Sequence, residues 1–380
     1  ERGTALDRAT LDEAADRAIG YAFLCAREGQ PAAAGDGELP LRAARESIVL
    51  LKNEQDLLPL QKGLRLAVVG RLPARPCGTS EALLSEKLAA RGWQVTGVAA
   101  GYDIAAERSD EMLKEALSAA DGADAVLLFL GTDTSREEAM LLNRRSKLPA
   151  NQLALADALC ASGKRVIVLL SSQCVPDLAF AEKLPALLLA PADGAFAYDA
   201  LCDVLTGAYC PSGRLAYTCY EETDALMESF RAGKNAGKYK VGCFVGYRQY
   251  ESCALPVRYP FGFGLSYTKF AYSDLQISDG KLRFRLKNTG SVRGCETAQI
   301  YIGAKNSALA RPLRELRAYV RADLAPGEEK TLEVSVKSEW ASVTCDGKRV
   351  TEAGDYLLYV CSDAGTVRLQ GEVRTGGARI

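Results

Sequence analysis

Five side chains between two hydrophobic segments have the types and spacing to do chemistry. Asp133, Arg136, Glu137, Glu138 and Arg144 all fall in GTDTSREEAMLLNRRSKLPANQ, from Gly131 to Gln152. Neighbouring carboxylates can give and take protons, and guanidinium groups beside them can orient a polar ligand through paired hydrogen bonds. Their position supports that reading. Ala125 to Leu130 is an unbroken apolar run stopped by Gly131, the pattern of a strand buried on both faces of a parallel sheet. Ligands of open α/β sheets bind outside the carboxyl ends of such strands. Glu138 and Glu137 are therefore the candidate catalytic groups, with Asp133, Arg136 and Arg144 as candidate substrate contacts. The plainer alternative is a set of solvated loop charges, the arginines pairing with the carboxylates and adding little stability.

Composition narrows the chemistry further. The 380 residues include no histidine, which removes Ser-His-Asp and Cys-His catalysis within the chain and weakens any zinc site. Acid–base work falls to Asp, Glu, Tyr, Lys or Cys. The 12 cysteines are scattered with no C-x-x-C pair, which suits packing residues in a reducing, cytoplasmic compartment better than a disulfide framework. The chain starts at Glu1 rather than Met, which leaves room for a removed signal peptide. A net charge of −1 offers no field for nucleic acid or an acidic membrane surface. No apolar run approaches a bilayer span. Gly70 and Gly131 lack the G-x-G-x-x-G spacing, so a nucleotide site has little support and no cofactor is expected.

The elements that must position the loop follow from periodicity. Helical spacing is expected at Ala5–Arg27 and Leu41–Leu51, with a small-residue linker from Pro31 to Gly37. Strands at 64–69, 93–98, 125–130, 165–170 and 184–189 alternate with helices at 80–91, 109–120, 151–162 and 197–205. That alternation predicts a mostly parallel α/β/α sandwich over residues 36–225. Residues 226–270 are rich in Gly, Tyr, Phe and Pro and read as an interdomain connection. From 271 to 380, seven alternating segments separated by turn signals predict an immunoglobulin-like β-sandwich. The aromatic block invites sugar stacking through Tyr247, Tyr250, Tyr259 or Tyr267. A buried seam at Pro260–Gly264 is the preferred reading, with Arg214, Arg248 and Glu251 as internal polar partners.

Three motifs carry a family resemblance. Residues 43–60 (AARESIVLLKNEQDLLPL), 244–270 (FVGYRQYESCALPVRYPFGFGLSYTKF) and 286–329 (with LKNTGSVRGCETAQIYI and LRELRAYVRADLAPGEE) resemble the C-terminal half of glycoside hydrolase family 3, which includes many β-glucosidases. Pro211-Ser212-Gly213-Arg214-Leu215 adds a fourth match. The resemblance implies a fibronectin type III-like identity for the last domain. It also implies a β-linked oligosaccharide or glycoside as substrate and an upstream (β/α)₈ barrel, in the same chain or in trans, supplying a nucleophilic Asp. Residues 1–35 then read as the barrel's closing helix and linker.

Retaining hydrolysis needs a second carboxyl group about 5 Å from the nucleophile. The resemblance places it in a loop ending E-x-x-D-R ahead of a Leu-Pro-x-x-Gln helix start. Leu148-Pro149-Ala150-Asn151-Gln152 matches that start. Asn143-Arg144 stands in place of Asp-Arg, and Met140 in place of Glu, with Glu137 and Glu138 two or three positions early. Either Glu138 or Glu137 reaches the site through a different loop length, or the chain is a catalytically silent relative that binds a glycan or a protein.

Overall fold

Four apolar segments with one face toward each neighbour can only be covered by helices on both sides, and the computed structural model shows that arrangement. It describes residues 37–72, 79–103, 110–131, 148–172, 177–190, 194, 196–221, 242–345 and 348–376. Helix α1 (Glu38–Ser47) leads into β1 (Val49–Asn53). There follow β2 (Arg65–Val69), α2 (Ser80–Ala90), β3 (Gln94–Ala99), α3 (Asp110–Asp121), β4 (Ala125–Gly131), α4 (Ala150–Ala161), β5 (Arg165–Ser171), β6 (Ala186–Leu189) and α5 (Ala197–Leu205). The sheet order is β1-β6-β5-β4-β2-β3. All pairs are parallel except β1 with β6, where Val49 faces Leu189.

Every residue of β4 is buried. Val126, Leu128 and Leu130 pack with Ala116 and Ala120 of α3 and Leu155 and Leu159 of α4. On the opposite face the Phe129 ring meets Tyr198 of α5 edge-on, 6.2 Å between centroids. Each large apolar side chain buried this way contributes about 1.5–3 kcal/mol, so the central strand is the best fixed element of the layer.

One expectation is corrected. The helix over 41–51 ends at Ser47, and Val49–Asn53 is an edge strand. Ile48-Val49-Leu50-Leu51 is a solid apolar run, and the open antiparallel edge of β6 buries all four, which outweighs the helix propensity of the preceding residues.

Residues 43–380 form one compact unit. After the short β7 (Cys219–Tyr220), helix α6 (Tyr247–Ser252) and β8 (Val257–Tyr259), the chain enters a sandwich. One sheet holds β9 (Phe270–Ser278), β10 (Lys281–Asn288) and β13 (Glu329–Ser335). The other holds β11 (Gly294–Ala304), β12 (Glu315–Leu324), β16 (Gly354–Asp363) and β17 (Thr366–Thr375). These are the seven strands expected, plus a ribbon of β14 (Ser342–Cys345) and β15 (Lys348–Thr351). Among the described residues no helix is long and apolar enough to cross a membrane.

The sandwich docks on the α/β layer through 247–264. Gln299 on β11 donates to Gly262 O (3.1 Å) and Ser362 O (2.9 Å), and accepts from the Tyr301 hydroxyl (2.7 Å). Both amide hydrogens and the amide oxygen therefore have a protein partner. Arg214 donates to Gly264 O (2.7 Å) and to Glu296 (2.8 Å), both partners being nearly buried. Glu251 pairs with Arg314, and Arg248 lies 3.6 Å from Glu315. Tyr247 stacks on Phe261 and accepts from Leu316 N–H, while Tyr267 donates to Val204 O. These aromatics hold two layers together.

Gly262 has φ +82°, and a Cβ there would lie 2.2 Å from the Gln299 amide oxygen. Gly327 also has positive φ (+75°) but open space around it. Gly262→Ala is therefore expected to cost about 3 kcal/mol and Gly327→Ala only about 1 kcal/mol, read by denaturant unfolding. Equal costs would show that the seam does not depend on this close approach.

Candidate functional site

Strand order locates the crevice. From β2 the chain moves outward to β3, then crosses back to β4 on the other side of β2. The carboxyl ends of β2 and β4 thus flank the point where the winding reverses, the usual place for a ligand in an open α/β sheet. Gly70 follows β2, and Gly131 ends β4.

Polar side chains from the following helices tie these strand ends down. Gln152, in the first turn of α4, accepts from Gly131 N–H (2.9 Å) and donates to Gly131 O (2.6 Å). Gln152 is fully buried. The helix after residues 132–147 therefore grips, with both ends of one amide, the residue just before them. Asn151 accepts from Gln152 N–H (2.9 Å) and donates to Asp103 O (2.8 Å), which extends the tie to the segment beyond β3. Ser80, at the start of α2, accepts from Leu72 N–H (2.9 Å) and donates to Gly70 O (3.2 Å). The Tyr102 hydroxyl donates to Phe129 O (3.2 Å). At Gly70 the approach is so close that a Cβ would sit 2.2 Å from Phe129 O.

The titratable groups of this rim suit support better than proton transfer. Burial, reinforced by the nearby Glu81 charge, pushes the Tyr102 hydroxyl far above its ordinary range, out of reach of acid–base work near neutral pH. Glu81 is buried in the first turn of α2, and its Oε1 accepts from Arg71 Nε at 2.6 Å. The buried thiols of the described residues offer no nucleophile either: burial raises Cys202, Cys219 and Cys361 to about 12, the opposite of an activated nucleophile. Among the described residues no group of three or more Cys, Asp or Glu is placed to hold a metal.

The sequence candidates Glu138, Glu137, Asp133, Arg136 and Arg144 lie in 132–147, outside the described residues. What the structure fixes is their two flanks, Gly131 and Leu148-Pro149. Sequence reasoning singled out the Leu-Pro-x-x-Gln start but missed what Gln152 does. Its signal was available: two amide residues open a helix, ANQLALADALCA, that is otherwise almost wholly apolar or small. Buried amides in such company must find partners, and backbone groups at the nearby strand ends are available to provide them.

The chain's similarities agree with this architecture. Residues 48–267 match the family model described as the glycosyl hydrolase family 3 C-terminal domain, and residues 296–364 that of a fibronectin type III-like domain. The chain is 30% identical to thermostable beta-glucosidase B of Acetivibrio thermocellus, over 96% of this chain and 52% of that protein. It is 31% identical to an exo-alpha-(1->6)-L-arabinopyranosidase of Bifidobacterium longum, over 89% and 49% respectively. The structure of a Bifidobacterium adolescentis GH3 beta-glucosidase superposes with a TM-score of 0.79 at 29% identity, covering 90% of this chain and 53% of that one. The chain spans about half the length of the curated relatives it matches.

Replacing Gln152 with Leu keeps the volume and strands both polar groups of Gly131. Gln152→Leu is expected to lower the unfolding free energy by about 3 kcal/mol, measured by urea denaturation. A loss under about 0.5 kcal/mol would mean the double hydrogen bond fixes nothing.

Proposed function

The chain belongs to glycoside hydrolase family 3, and from that premise we propose that it forms the half of a β-glycosidase that completes the sugar pocket, bringing the acid/base carboxylate on residues 132–147. The observation that carries this reading is the Gln152 grip on Gly131 at the winding reversal, which fixes both flanks of the acidic segment at the carboxyl edge of the sheet. Glu138 is the first choice for the acid/base and Glu137 the second. Asp133, Arg136 and Arg144 would contact sugar hydroxyls. The nucleophilic Asp and most of the sugar-recognising surface would come from a (β/α)₈ barrel, in the same chain or in trans.

The chemistry divides cleanly on this account. The barrel carboxylate attacks the anomeric carbon as the glutamic acid gives its proton to the departing oxygen. The resulting glutamate then takes a proton from water as that water attacks the same carbon and releases the barrel carboxylate. The substrate class is a β-linked oligosaccharide or glycoside. The free thiols among the described residues fit a reducing, cytoplasmic compartment.

A second reading has its own support. Met140 and Asn143 stand where the resemblance leads one to expect an acid and an aspartate, and a thioether transfers no proton. On that reading the chain is a catalytically silent relative that binds a glycan or a protein.

Turnover of aryl β-glucosides separates the two. The 380 residues alone are expected to show none, and joining them to an upstream barrel should give activity. In the joined protein, Glu138→Gln should lower kcat by about 10²–10⁴-fold on disaccharides, with a much smaller loss on dinitrophenyl glycosides, whose leaving group needs no proton. Full activity of the isolated chain would refute the split site. No turnover by the joined protein would leave the silent reading, and wild-type kcat in both Glu138→Gln and Glu137→Gln would remove these two residues as the acid/base.

A further inference from the structure

A pocket of about 350 Å³ opens where the sandwich meets the α/β layer. The layer supplies Glu46 from α1, and Ala208 and Tyr209 from the turn after α5. The sandwich supplies Arg293 just ahead of β11, and Arg321 and Asp323 near the end of β12. Small-molecule sites concentrate at such junctions between domains, and this volume falls within their ordinary range of roughly 300–1,000 Å³.

The charges lining it select against ions. Glu46 pairs with Arg321, and Arg293 with Asp323 at 2.9 Å, so two cations and two anions cancel. An ion would meet, beside each group it seeks, that group's opposing partner. Hydrogen-bonding capacity is nevertheless left over. Asp323 takes the bonds from Arg293 Nε (3.1 Å) and Nη2 (2.9 Å) on one oxygen, Oδ2. Its Oδ1 and Arg293 Nη1 have no hydrogen-bond partner among the described residues. An acceptor and a donor on adjacent planar groups suit two neighbouring hydroxyls, one donating and the other accepting. Neither ion pair has to break to make those bonds. Tyr209 adds a fixed apolar wall: Arg45 sits over its ring, 5.6 Å from the centroid, and is itself held by Asp203 at 2.8 Å. A ring anchored before the ligand arrives lowers the ordering cost of binding. The lining therefore fits a compact, uncharged ligand with a C–H surface and adjacent hydroxyls.

We propose that this pocket binds a neutral hexose ring. Two adjacent ring hydroxyls meet Asp323 Oδ1 and Arg293 Nη1, and carbon-bound hydrogens pack against Tyr209. A ligand that touches both layers binds only when they are docked, so its occupancy stabilises the seam. The pocket uses none of residues 132–147, and it stands whether or not the acid/base assignment holds.

The test is saturation-transfer-difference NMR of the full 380-residue chain titrated with methyl β-D-glucopyranoside, glucuronate or glucosamine. The neutral glucoside should bind saturably, and the two charged sugars at least about fivefold more weakly. Arg293→Ala with Asp323→Ala should weaken the glucoside about tenfold, and Ala208→Trp, which fills the pocket mouth, should abolish binding. Arg293 and Asp323 are 64% and 54% exposed, and Ala208 is exposed, so melts of these variants without sugar should match the parent. Saturating glucoside should raise the melting temperature of the parent and leave that of Ala208→Trp unmoved. No saturable binding, equal affinity for glucuronate, or glucoside binding that survives Ala208→Trp would each overturn the proposal, and none of these results bears on turnover by the barrel-joined protein.

Discussion

The candidate site rests on one side-chain amide. Gly131 is the last residue of a strand buried on both faces, paired with Ser171 of β5. Its N–H and C=O would be left in a dry interior, each costing on the order of 1–3 kcal/mol. Gln152 satisfies both at once, because an amide is the side chain that offers a donor and an acceptor side by side. A carboxylate would repel the carbonyl, and an aliphatic chain would abandon both groups. The same residue is locked in turn through Asn151, whose amide reaches the carbonyl of Asp103. Three segments at the carboxyl edge of the sheet thus share one polar network, and residues 132–147 begin and end on it.

The second constraint is the seam with the sandwich, and it follows the same logic with different parts. Gly262 brings backbone so close to Gln299 that no side chain fits between them. Gln299 again uses its amide on two carbonyls while the Tyr301 hydroxyl fills its oxygen. Arg214 and Glu296 bury a charge pair across the same contact. Such a pair adds little net stability over an apolar match, but removing either partner is costly. It therefore acts mainly to fix how the two layers meet. Tyr247 and Tyr267, which a composition-based reading could assign to sugar stacking, spend their hydroxyls on backbone groups of this region.

Much of this was legible in the sequence. Four of the five parallel strands announce themselves as short apolar runs, while β3 alternates apolar with polar residues, as the seven sandwich strands do between turns. The aromatic block at 244–267 reads correctly as a seam because Gly-spaced aromatics with interleaved Arg and Glu need internal partners. What failed was β1. Its apolar run directly follows a helical pattern, and only the empty edge of β6, distant in sequence, decides that Val49–Asn53 is extended. The job of Gln152 was hidden for a related reason: a helix's first turn is where exposed amides are ordinary. That this one is buried depends on how tightly α4 packs over β4. The acidic residues were singled out by type and position, since a carboxylate cluster after a buried strand stands out against the apolar segments on either side, and they lie outside the described residues.

The chemistry of the site can be narrowed by elimination as well as by resemblance. A proton-transfer group has to titrate near the working pH and reach a ligand. Tyr102 is pushed far up by burial and spends its proton on a backbone carbonyl. Glu81 is buried beneath the start of α2, one oxygen accepting from Arg71 and the other without a hydrogen-bond partner among the described residues. The buried thiols are raised instead of lowered, and the chain has no histidine to stand in for any of them. The described rim is therefore a frame, built from amides and hydroxyls whose hydrogen-bonding capacity is spent on holding strand ends. On the function proposed above, what that frame would hold is the acidic segment spliced directly into it, residues 132–147 with Glu137 and Glu138.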